Sequence, residues 1–274
     1  MFGGSNRRGS HPRKNQSRRP GQSRSRQGKP HLHHHFAQRT REIYCQLNTS
    51  DHAERVQTLF SDLAPSYDCY NRIFSLGLDI FWRKRLVETV AKTHPSTVLD
   101  VACGSGDVTL ALQQTLPAAQ ITGLDFCSAL LAQASARGVK QVVQGDALHL
   151  PFSDGSFSAV TLAFGLRNFS DRSKALLEIH RTLQSGGLFA LLEFTPPPYP
   201  WNLFWNFYLF RFMPWVAQLL TRQGESFRYL AESISRFPKP SALHHELHAA
   251  GLKLLFARSM SLGLVRLTVC RKLS

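Results

Sequence analysis

The chain has 274 residues, of which 43% are hydrophobic, so it can build one large or two small packed domains. Its five cysteines are odd in number, widely spaced and free of Cys-x-x-Cys pairs, which argues against a disulfide scaffold and a zinc site and fits a reducing compartment. The formal net charge of +15 is concentrated at one end, because residues 1–41 hold eleven Lys or Arg and no acid and leave +4 for the rest.

Residues 1–41 are predicted to form a disordered basic tail, since Arg, Ser, Gly, Gln, Pro and His dominate and almost nothing apolar lies between Gly3 and Pro30. Three explanations stay open: a transit-like presequence, a polybasic arm for anionic lipid or nucleic acid, or a wrongly chosen upstream start codon. The sequence has neither a secretory signal pattern nor an unbroken apolar stretch of about eighteen residues. We therefore expect a cytoplasmic protein with peripheral membrane contact as an option, or an organellar protein if the tail is a transit peptide.

Residues 42–274 are predicted to form one domain. Helical periodicity is expected first, at 51–60 and 67–90. From residue 97 onward, short apolar runs alternate with helical segments, which is typical of a parallel sheet covered on both faces. Strands are predicted at 97–102, 120–124, 140–143, 158–164, 188–194, 252–257 and 263–270. Helices are predicted near 107–116, 128–137, 171–184 and 240–250, with a helical, aromatic insertion at 201–236.

The stretch 98–107 predicts a buried strand, a glycine turn and a helix start, and a second strand ends in Asp125. This is how a Rossmann-type sheet holds a nucleoside cofactor. Gly104 and Gly106 permit a tight turn and the close approach of a ligand, and the helix start aims unpaired N–H groups at the same gap. Asp125 is placed to accept both hydroxyls of an adenosine ribose. Thr109 stands where a dinucleotide fingerprint has Gly or Ala, which favours S-adenosyl-L-methionine (SAM) over NAD.

A second polar motif, Gly145-Asp146-Ala147, follows the third predicted strand. It lies at the carboxyl edge, where open α/β sheets bind ligands. Asp146 can accept a hydrogen bond from the adenine amino group, and Ala147 can offer its backbone N–H to the ring. The alternative is a loop turn capped by Asp146.

The fourth predicted strand ends in Ala163-Phe164-Gly165-Leu166-Arg167-Asn168. With this hexapeptide the chain resembles the quinone-biosynthesis C-methyltransferases, which methylate demethylmenaquinone and a ubiquinone precursor. The resemblance runs from about Val56 to Lys272. The chain departs from the family pattern at Cys270, in the short end Lys272-Leu273-Ser274, and in residues 31–41, which have no counterpart in the family. The other similar motifs are Tyr67-Asp68-x-x-Asn71, Ser75-Leu76-Gly77, Trp82-Arg83, Leu99 to Asp107, Gly123-Leu124-Asp125-Phe126, Ser185-Gly186-Gly187, Leu192-Glu193-Phe194 and Tyr229-Leu230-x-x-Ser233-Ile234.

The resemblance implies a Rossmann-like class I SAM-dependent methyltransferase fold. This is an α/β architecture with a mostly parallel seven-stranded sheet, helices on both faces, N-terminal helices and the aromatic insertion. SAM is the implied methyl donor, and no metal is expected. The implied acceptor is a prenylated hydroquinone, with demethylmenaquinol as the leading choice and a polyprenyl-methoxy-benzoquinol of the ubiquinone route as the alternative. The implied SAM contacts are Gly104, Ser105, Gly106, Asp125, Asp146, Ala147 and Ala163.

Methylation of a ring carbon needs a phenol that has lost its proton, which predicts catalytic roles for four residues. Arg167 is the leading candidate, because its charge can lower the phenol pKa while water takes the proton. Asn168 can orient the hydroxyl, and Tyr67 and Asp68 can close the pocket or accept the proton. The alternatives are an ion pair at the sheet edge for Arg167 and a packed aromatic for Tyr67.

The insertion begins with an unusually aromatic stretch, Trp201 to Phe212, that polar residues interrupt, so a membrane span is not expected. It predicts an amphipathic lid that receives a prenylated quinol at the bilayer surface, and the alternative is core or homodimer contact.

Two rivals come from other classes. A nucleic-acid methyltransferase is disfavoured because Pro196-Pro197-Pro198-Tyr199 follows the fifth strand and not the fourth, so no nucleic acid partner is expected. A non-catalytic SAM-binding scaffold would bind SAM without turnover, and the intact motifs argue against it.

Overall fold

The protein is described from a computed structural model, which covers residues 67–213, 215 and 224–273. The described residues all belong to one compact unit. The predicted basic tail at 1–41 and the predicted helix at 51–60 lie outside the described residues. The boundary of the domain at residue 42 therefore stays a prediction.

Within the described residues, seven strands form a single sheet, and each overlaps one of the seven predicted strands. They are β1 (Thr97–Val101), β2 (Gln120–Asp125), β3 (Val142–Gln144), β4 (Phe157–Ala163), β5 (Leu183–Phe194), β6 (Leu252–Met260) and β7 (Val265–Lys272). Their order across the sheet is β3-β2-β1-β4-β5-β7-β6. The first five strands run parallel, and β7 is antiparallel to both β5 and β6. The predicted mostly parallel seven-stranded sheet is confirmed.

Among the described residues, two α-helices precede the sheet, single α-helices follow β1, β2 and β4, and three α-helices lie between β5 and β6. They are α1 (Tyr67–Phe74), α2 (Leu78–Ala91), α3 (Asp107–Thr115), α4 (Ser128–Ala136), α5 (Arg172–Thr182), α6 (Trp201–Phe207), α7 (Gly224–Arg236) and α8 (Pro240–Ala249). The predicted helical segment 67–90 is thus two helices. It divides because Leu76 and Gly77 have φ of +53° and +76°, a left-handed conformation that cannot continue an α-helix.

One strand differs clearly from its prediction, because β5 begins at Leu183 and not at residue 188. Leu183 is fully buried and pairs with Phe157, and the pairing then shifts register before continuing from Ala159 with Leu188. The intervening Ser-Gly-Gly sequence suggests a loop, so the sequence pattern extended the preceding helix to 184 instead. The helix actually ends at Thr182.

Side chains that alternate along the sheet build a packed layer on each of its faces. Val98 belongs to one buried cluster, with Trp82 of α2. Leu99 belongs to a second cluster, with Leu176 of α5. Since both layers are filled, ligand access is left to the carboxyl edge, where β1, β2 and β4 end.

Candidate active site

A cavity opens at this carboxyl edge, where the paired strands β1 and β4 end. With its open mouth included, it has a volume of about 330 Å³. Three of the residues predicted to bind the cofactor, Gly104, Ser105 and Ala163, line it. No group of three or more His, Cys, Asp or Glu side chains in the described ranges is placed to hold a metal ion. The complete lining is Arg83, Asp100, Ala102, Cys103, Gly104, Ser105, Asp107, Val108 and Ala163.

The turn between β1 and α3 requires glycine for two separate reasons. Gly104 and Gly106 have φ of +56° and +88°, in the left-handed region that other residues rarely adopt. Space is also missing at Gly106, where a Cβ atom would lie 2.6 Å from Cγ2 of Val139. The expected tight glycine turn is therefore present, and it leaves Gly104 on the cavity wall.

Asp125, the last residue of β2, holds this turn with one carboxylate oxygen and the start of α4 with the other. Its Oδ2 accepts a hydrogen bond from Gly104 N at 2.8 Å, and its Oδ1 accepts one from Cys127 N at 2.9 Å. Burial raises the pKa of Asp125, while the bonded backbone N–H groups lower it. Contact of Asp125 with the two hydroxyls of an adenosine ribose stays a prediction.

Asp100 of β1 is a buried carboxyl on the cavity wall that the sequence analysis gave no role. Its Oδ2 accepts a hydrogen bond from Thr109 Oγ1 at 2.6 Å, and its Oδ1 accepts one from Thr161 Oγ1 at 2.7 Å. Burial raises the pKa of Asp100 to about 6, although both hydroxyl groups lower it. Thr109, which distinguishes this turn from a dinucleotide fingerprint, is thus a hydroxyl partner of Asp100. The sequence feature that could have indicated a buried functional carboxyl group is the position of this aspartate within the apolar run 98–101.

Asp146 and Ala147 follow β3 as expected, but Asp146 is engaged in its own turn. Its Oδ1 accepts a hydrogen bond from Leu148 N at 2.9 Å, and its side chain is 44% exposed. Ala147 is buried. The capped-turn alternative is therefore present, and contact of these residues with an adenine ring stays a prediction.

Asp68, predicted for the acceptor side of the site, contacts the cofactor turn. Its Oδ1 accepts a hydrogen bond from Ser105 Oγ at 2.5 Å, and its Oδ2 lies 2.9 Å from Arg137 Nη1. Arg137 also donates to the Ser105 carbonyl at 2.9 Å and pairs with Asp107 at 2.7 Å. These contacts tie α1 to the start of α3. Tyr67 begins α1, but its side chain lies outside the described part of the structure.

Asp107, the first residue of α3, is the centre of an ion cluster that joins the N-terminal helices to the cavity. Its Oδ2 lies 3.1 Å from Arg72 Nη2 and 3.3 Å from Arg83 Nη1. Both arginines also pair with the buried Asp79 of α2. Burial alone would raise the pKa of Asp107, but Arg83, Arg137 and Arg72 together lower it below its ordinary value. A carboxylate therefore faces the cavity at neutral pH.

Arg167 lies in a 3₁₀ turn (Leu166–Asn168) after β4, where it forms a buried ion pair with Glu193 of β5. Its Nη1 is 2.7 Å from Glu193 Oε1 and also donates to the Phe164 carbonyl. The Arg167 side chain is only 9% exposed, and its guanidinium carbon lies 5.3 Å from the ring centroid of Phe194. The ion-pair alternative is thus realised. Arg167 Nε is nevertheless buried without a hydrogen-bond partner in the described part of the chain.

Asn168, the neighbour of Arg167, connects the same turn to α7. Its Oδ1 accepts a hydrogen bond from Tyr229 Oη at 3.2 Å. Burial raises the pKa of Tyr229, and the nearby charge of Arg167 lowers it. The sequence motif around Tyr229 was recognised without a role, and the pairing with Asn168 was not foreseen because 61 residues separate the two.

Large apolar side chains are exposed on α6, on the π-helical turn (Tyr208–Phe212) that follows it, and at Trp215. The same segment buries Leu209 and Met213 in the core, so it is amphipathic. No helix among residues 67–213, 215 and 224–273 is both long and apolar enough to cross a membrane. We call the exposed set the aromatic surface: Trp201, Leu203, Phe204, Phe207, Phe210, Phe212 and Trp215.

Comparison with known proteins shows that the sequence of this chain is similar to one family of methyltransferases. A model of the ubiE/COQ5 methyltransferase family matches residues 48–272. A demethylmenaquinone methyltransferase of Thermus thermophilus is 42% identical over 204 residues, which cover 72% of this chain and 93% of that protein. A demethylmenaquinone methyltransferase of Thermotoga maritima is 40% identical, covering 76% and 91%. A ubiquinone/menaquinone biosynthesis C-methyltransferase of Geobacter sulfurreducens is 33% identical, covering 85% and 94%.

Solved structures with less sequence similarity share the fold. A SAM-dependent methyltransferase of Thermotoga maritima aligns with a TM-score of 0.59 at 16% identity, covering 79% of this chain and 99% of that one. The [4+2]-cyclase SpnF aligns with a TM-score of 0.53 at 20% identity, covering 69% and 80%. Because a cyclase shares the architecture, the fold alone does not specify the reaction.

Proposed function

The chain belongs to the ubiE/COQ5 methyltransferase family, and on this premise we propose that it transfers the methyl group of SAM to a ring carbon of demethylmenaquinol. The observation that carries the choice of acceptor is the set of relatives. Three that are 37–42% identical, each matched over more than nine-tenths of its own length, are demethylmenaquinone methyltransferases. The proposal places the activity in residues 42–274 and gives the insertion at 201–236 the role of a lid.

The cavity fits SAM by the chemistry of its lining. Asp100 and Asp107 are carboxyl groups and Arg83 is a guanidinium, and SAM carries two cationic groups and one carboxylate. When bound, SAM supplies an electrophilic methyl group at its sulfonium. Gly104 and Ala163 line the same cavity, at the ends of neighbouring strands. Asp125, Asp146 and Ala147 would hold the nucleoside at the adjoining strand ends.

Arg167 acts on the acceptor hydroxyl through a directed hydrogen bond in this proposal. Glu193 balances its charge, so Arg167 does not present a free cation. Its Nε–H, which is buried without a partner in the described residues, is the group that can donate to the phenolic oxygen. Such a bond stabilises the phenolate and lowers the phenol pKa while water accepts the proton. The negative charge shared with the ring carbon would make that carbon the nucleophile. Its bond to the methyl carbon would form as the bond between the methyl carbon and the sulfonium sulfur breaks, with S-adenosylhomocysteine as the leaving group, and the proton of that ring carbon would then pass to water.

Asn168 orients that hydroxyl, and Tyr229 fixes the amide of Asn168 by donating to its Oδ1. Asp68 does not serve as the base in this arrangement, because both its oxygens are engaged by Ser105 and Arg137. It closes the cofactor side of the site instead. This is one of the two roles that the sequence analysis left open for it.

The aromatic surface is proposed to contact a bilayer, because a prenylated quinol is carried in lipid. An exposed patch of seven large apolar side chains typically marks an interaction site. An amphipathic segment that keeps Leu209 and Met213 in the core can place its other side in the interface between headgroups and acyl chains. Homodimer contact through the same surface is the competing outcome.

A second acceptor, the methoxy-benzoquinol of the ubiquinone route, is favoured by one observation. The Geobacter sulfurreducens relative, matched over 244 residues, is named for both pathways.

The test is a methylation assay with purified full-length protein, SAM and each reduced quinol in turn, with the products identified by mass spectrometry. We expect methylation of the demethylmenaquinol. Methylation of the benzoquinol alone would overturn the acceptor, and methylation of neither would overturn the function. In the same assay, with both substrates saturating, Arg167→Ala should lower turnover at least about 100-fold. Near-normal turnover would remove Arg167 from the mechanism.

A further inference from the structure

We propose that Arg83 of α2 binds the α-carboxylate of SAM. This inference deepens the proposed function and rests on its methyl donor, but not on its acceptor. Arg83 belongs to the family-like motif Trp82-Arg83, for which no role was predicted from the sequence.

The charges on the cavity wall are the first reason. Among the described residues that line the cavity, Arg83 is the cationic one, and Asp100 and Asp107 are the acidic ones. The sulfonium and the ammonium of SAM are suited to the acidic groups. Its carboxylate is anionic and needs hydrogen-bond donors, which a guanidinium offers in a planar fork that matches a carboxylate.

The second reason is that only one of the three guanidinium nitrogen atoms of Arg83 is engaged in ion pairs with described residues. Its contacts with Asp79 and Asp107 are both made by Nη1. No contact within the described residues uses Nη2 or Nε, so that edge of the guanidinium keeps its donors for a ligand. The guanidinium also lies over the ring of Phe164, with Cζ 5.6 Å from the centroid. Phe164 directly follows Ala163, another wall residue.

Arg83 is held in place before any ligand arrives. Its side chain is only 13% exposed. Its partner Asp79 is fixed in turn by Ser75 Oγ, which donates to Asp79 Oδ1 at 2.7 Å. An arginine that is already ordered loses little conformational entropy on binding.

The other arginines of the ion cluster are less suitable. Arg72 and Arg137 are outside the cavity lining, and the side chain of each is 36% exposed. Arg137 already uses Nη1 and Nη2 for Asp68, Asp107 and the Ser105 carbonyl. The structure therefore assigns the carboxylate to Arg83.

The test compares SAM with decarboxylated SAM, which keeps both cationic groups and lacks only the carboxylate. Affinities are measured by isothermal titration calorimetry on the full-length chain. Wild type should bind SAM at least about tenfold more tightly than decarboxylated SAM, as expected for a charge-assisted pair of hydrogen bonds. Arg83→Met should weaken SAM binding by a similar factor and leave decarboxylated SAM within about twofold. Arg83→Lys should restore part of the difference.

Arg85→Met is the matched control, since Arg85 lies on the same helix but contacts Glu88 and Phe81, outside the cavity. It should change neither affinity. An equal loss of both ligands in Arg83→Met would show a merely structural role and overturn the proposal. If that variant does not fold, the wild-type comparison decides, because equal affinity for the two ligands also overturns it. Failure of wild type to bind either ligand would instead overturn the methyl donor of the proposed function.

Discussion

At the scale of single residues, the cavity contains an acid whose ionisation opposes folding. Burial raises the pKa of Asp100 to about 6 from an ordinary value of 3.8, so the folded state holds this proton more tightly than the unfolded state. Stability from this group is complete below pH 3.8 and is lost as the pH rises to about 6. This difference between the pKa values of Asp100 in the folded and unfolded states corresponds to about 3 kcal/mol of folding free energy.

Asp100→Asn should remove this pH dependence, because an amide has no proton to lose. The free energy of unfolding of the variant, relative to wild type, should rise by about 2 kcal/mol between pH 4 and pH 7. Urea unfolding at both pH values measures it. Asp154→Asn, at a carboxylate whose side chain is 82% exposed, is the control and should show no comparable change. A constant difference between Asp100→Asn and wild type would contradict the expectation.

The buried pair of Arg167 and Glu193 gives a second prediction at this scale. Glu193→Gln leaves a guanidinium buried without its counter-charge, which should lower the free energy of unfolding by about 3–5 kcal/mol. Changing both residues, with Arg167→Met and Glu193→Gln, should recover much of that loss because no unpaired charge remains. Chemical denaturation measures all three proteins.

The exposed pair of Glu232 and Arg236 on α7 provides the comparison. Glu232→Gln should cost less than about 1 kcal/mol, since surface pairs contribute little. If Glu193→Gln costs no more than Glu232→Gln, the Arg167–Glu193 pair is not what holds the turn after β4.

At the scale of elements, the sequence predicted the sheet well because apolar runs and glycine turns are local patterns. It could not predict contacts between distant positions. Asp107 meets Arg72, 35 residues earlier, and Arg167 meets Glu193, 26 residues later. A carboxylate within an apolar strand such as β5 signals a buried partner without saying which one. Strand order and register bring these pairs together, and both follow from the whole sheet.

The glycine turn was predictable, and the structure now separates its two requirements. Gly106→Ala introduces both left-handed strain and a Cβ atom 2.6 Å from Val139. Gly138→Ala introduces the strain alone, because φ is +100° there and no atom lies within 4 Å of the added Cβ. Backbone strain should lower the free energy of unfolding of each variant by about 1 kcal/mol. In Gly106→Ala, overpacking against Val139 should lower the free energy of unfolding by about a further 1–3 kcal/mol.

Thermal or urea unfolding of the two variants measures the difference between strain and crowding. SAM affinity adds a second readout, because Gly106 precedes the helix that carries Asp107. We expect SAM binding to weaken in Gly106→Ala and to be unchanged in Gly138→Ala. Equal losses of stability would mean that Val139 moves aside, and the close approach would then not explain the glycine.

At the scale of the whole molecule, charge and apolar exposure occupy different parts of the chain. Eleven basic residues lie in 1–41, outside the described residues, whereas the aromatic surface lies on α6, on the turn after it and at Trp215. Either could attract a bilayer, the first through anionic lipid and the second through its acyl region. Vesicles of zwitterionic lipid isolate the apolar contribution, because they offer no net negative charge to the basic residues.

A triple variant, Leu203→Gln, Phe204→Gln and Phe207→Gln, should therefore bind zwitterionic vesicles at least about 100-fold more weakly than wild type. The three side chains are 63%, 57% and 63% exposed, so their loss removes little core packing and should leave the melting temperature unchanged. If burial of each side chain in the bilayer contributes about 1 kcal/mol to the free energy of binding, the three together contribute about 3 kcal/mol. Vesicle co-sedimentation measures the binding. Leu177→Gln, Leu255→Gln and Phe256→Gln, also exposed but on α5 and β6, form the control triple and should bind like wild type. Unchanged vesicle binding by the first triple, together with the loss of a dimer seen in wild type, would assign the aromatic surface to a second copy of the chain.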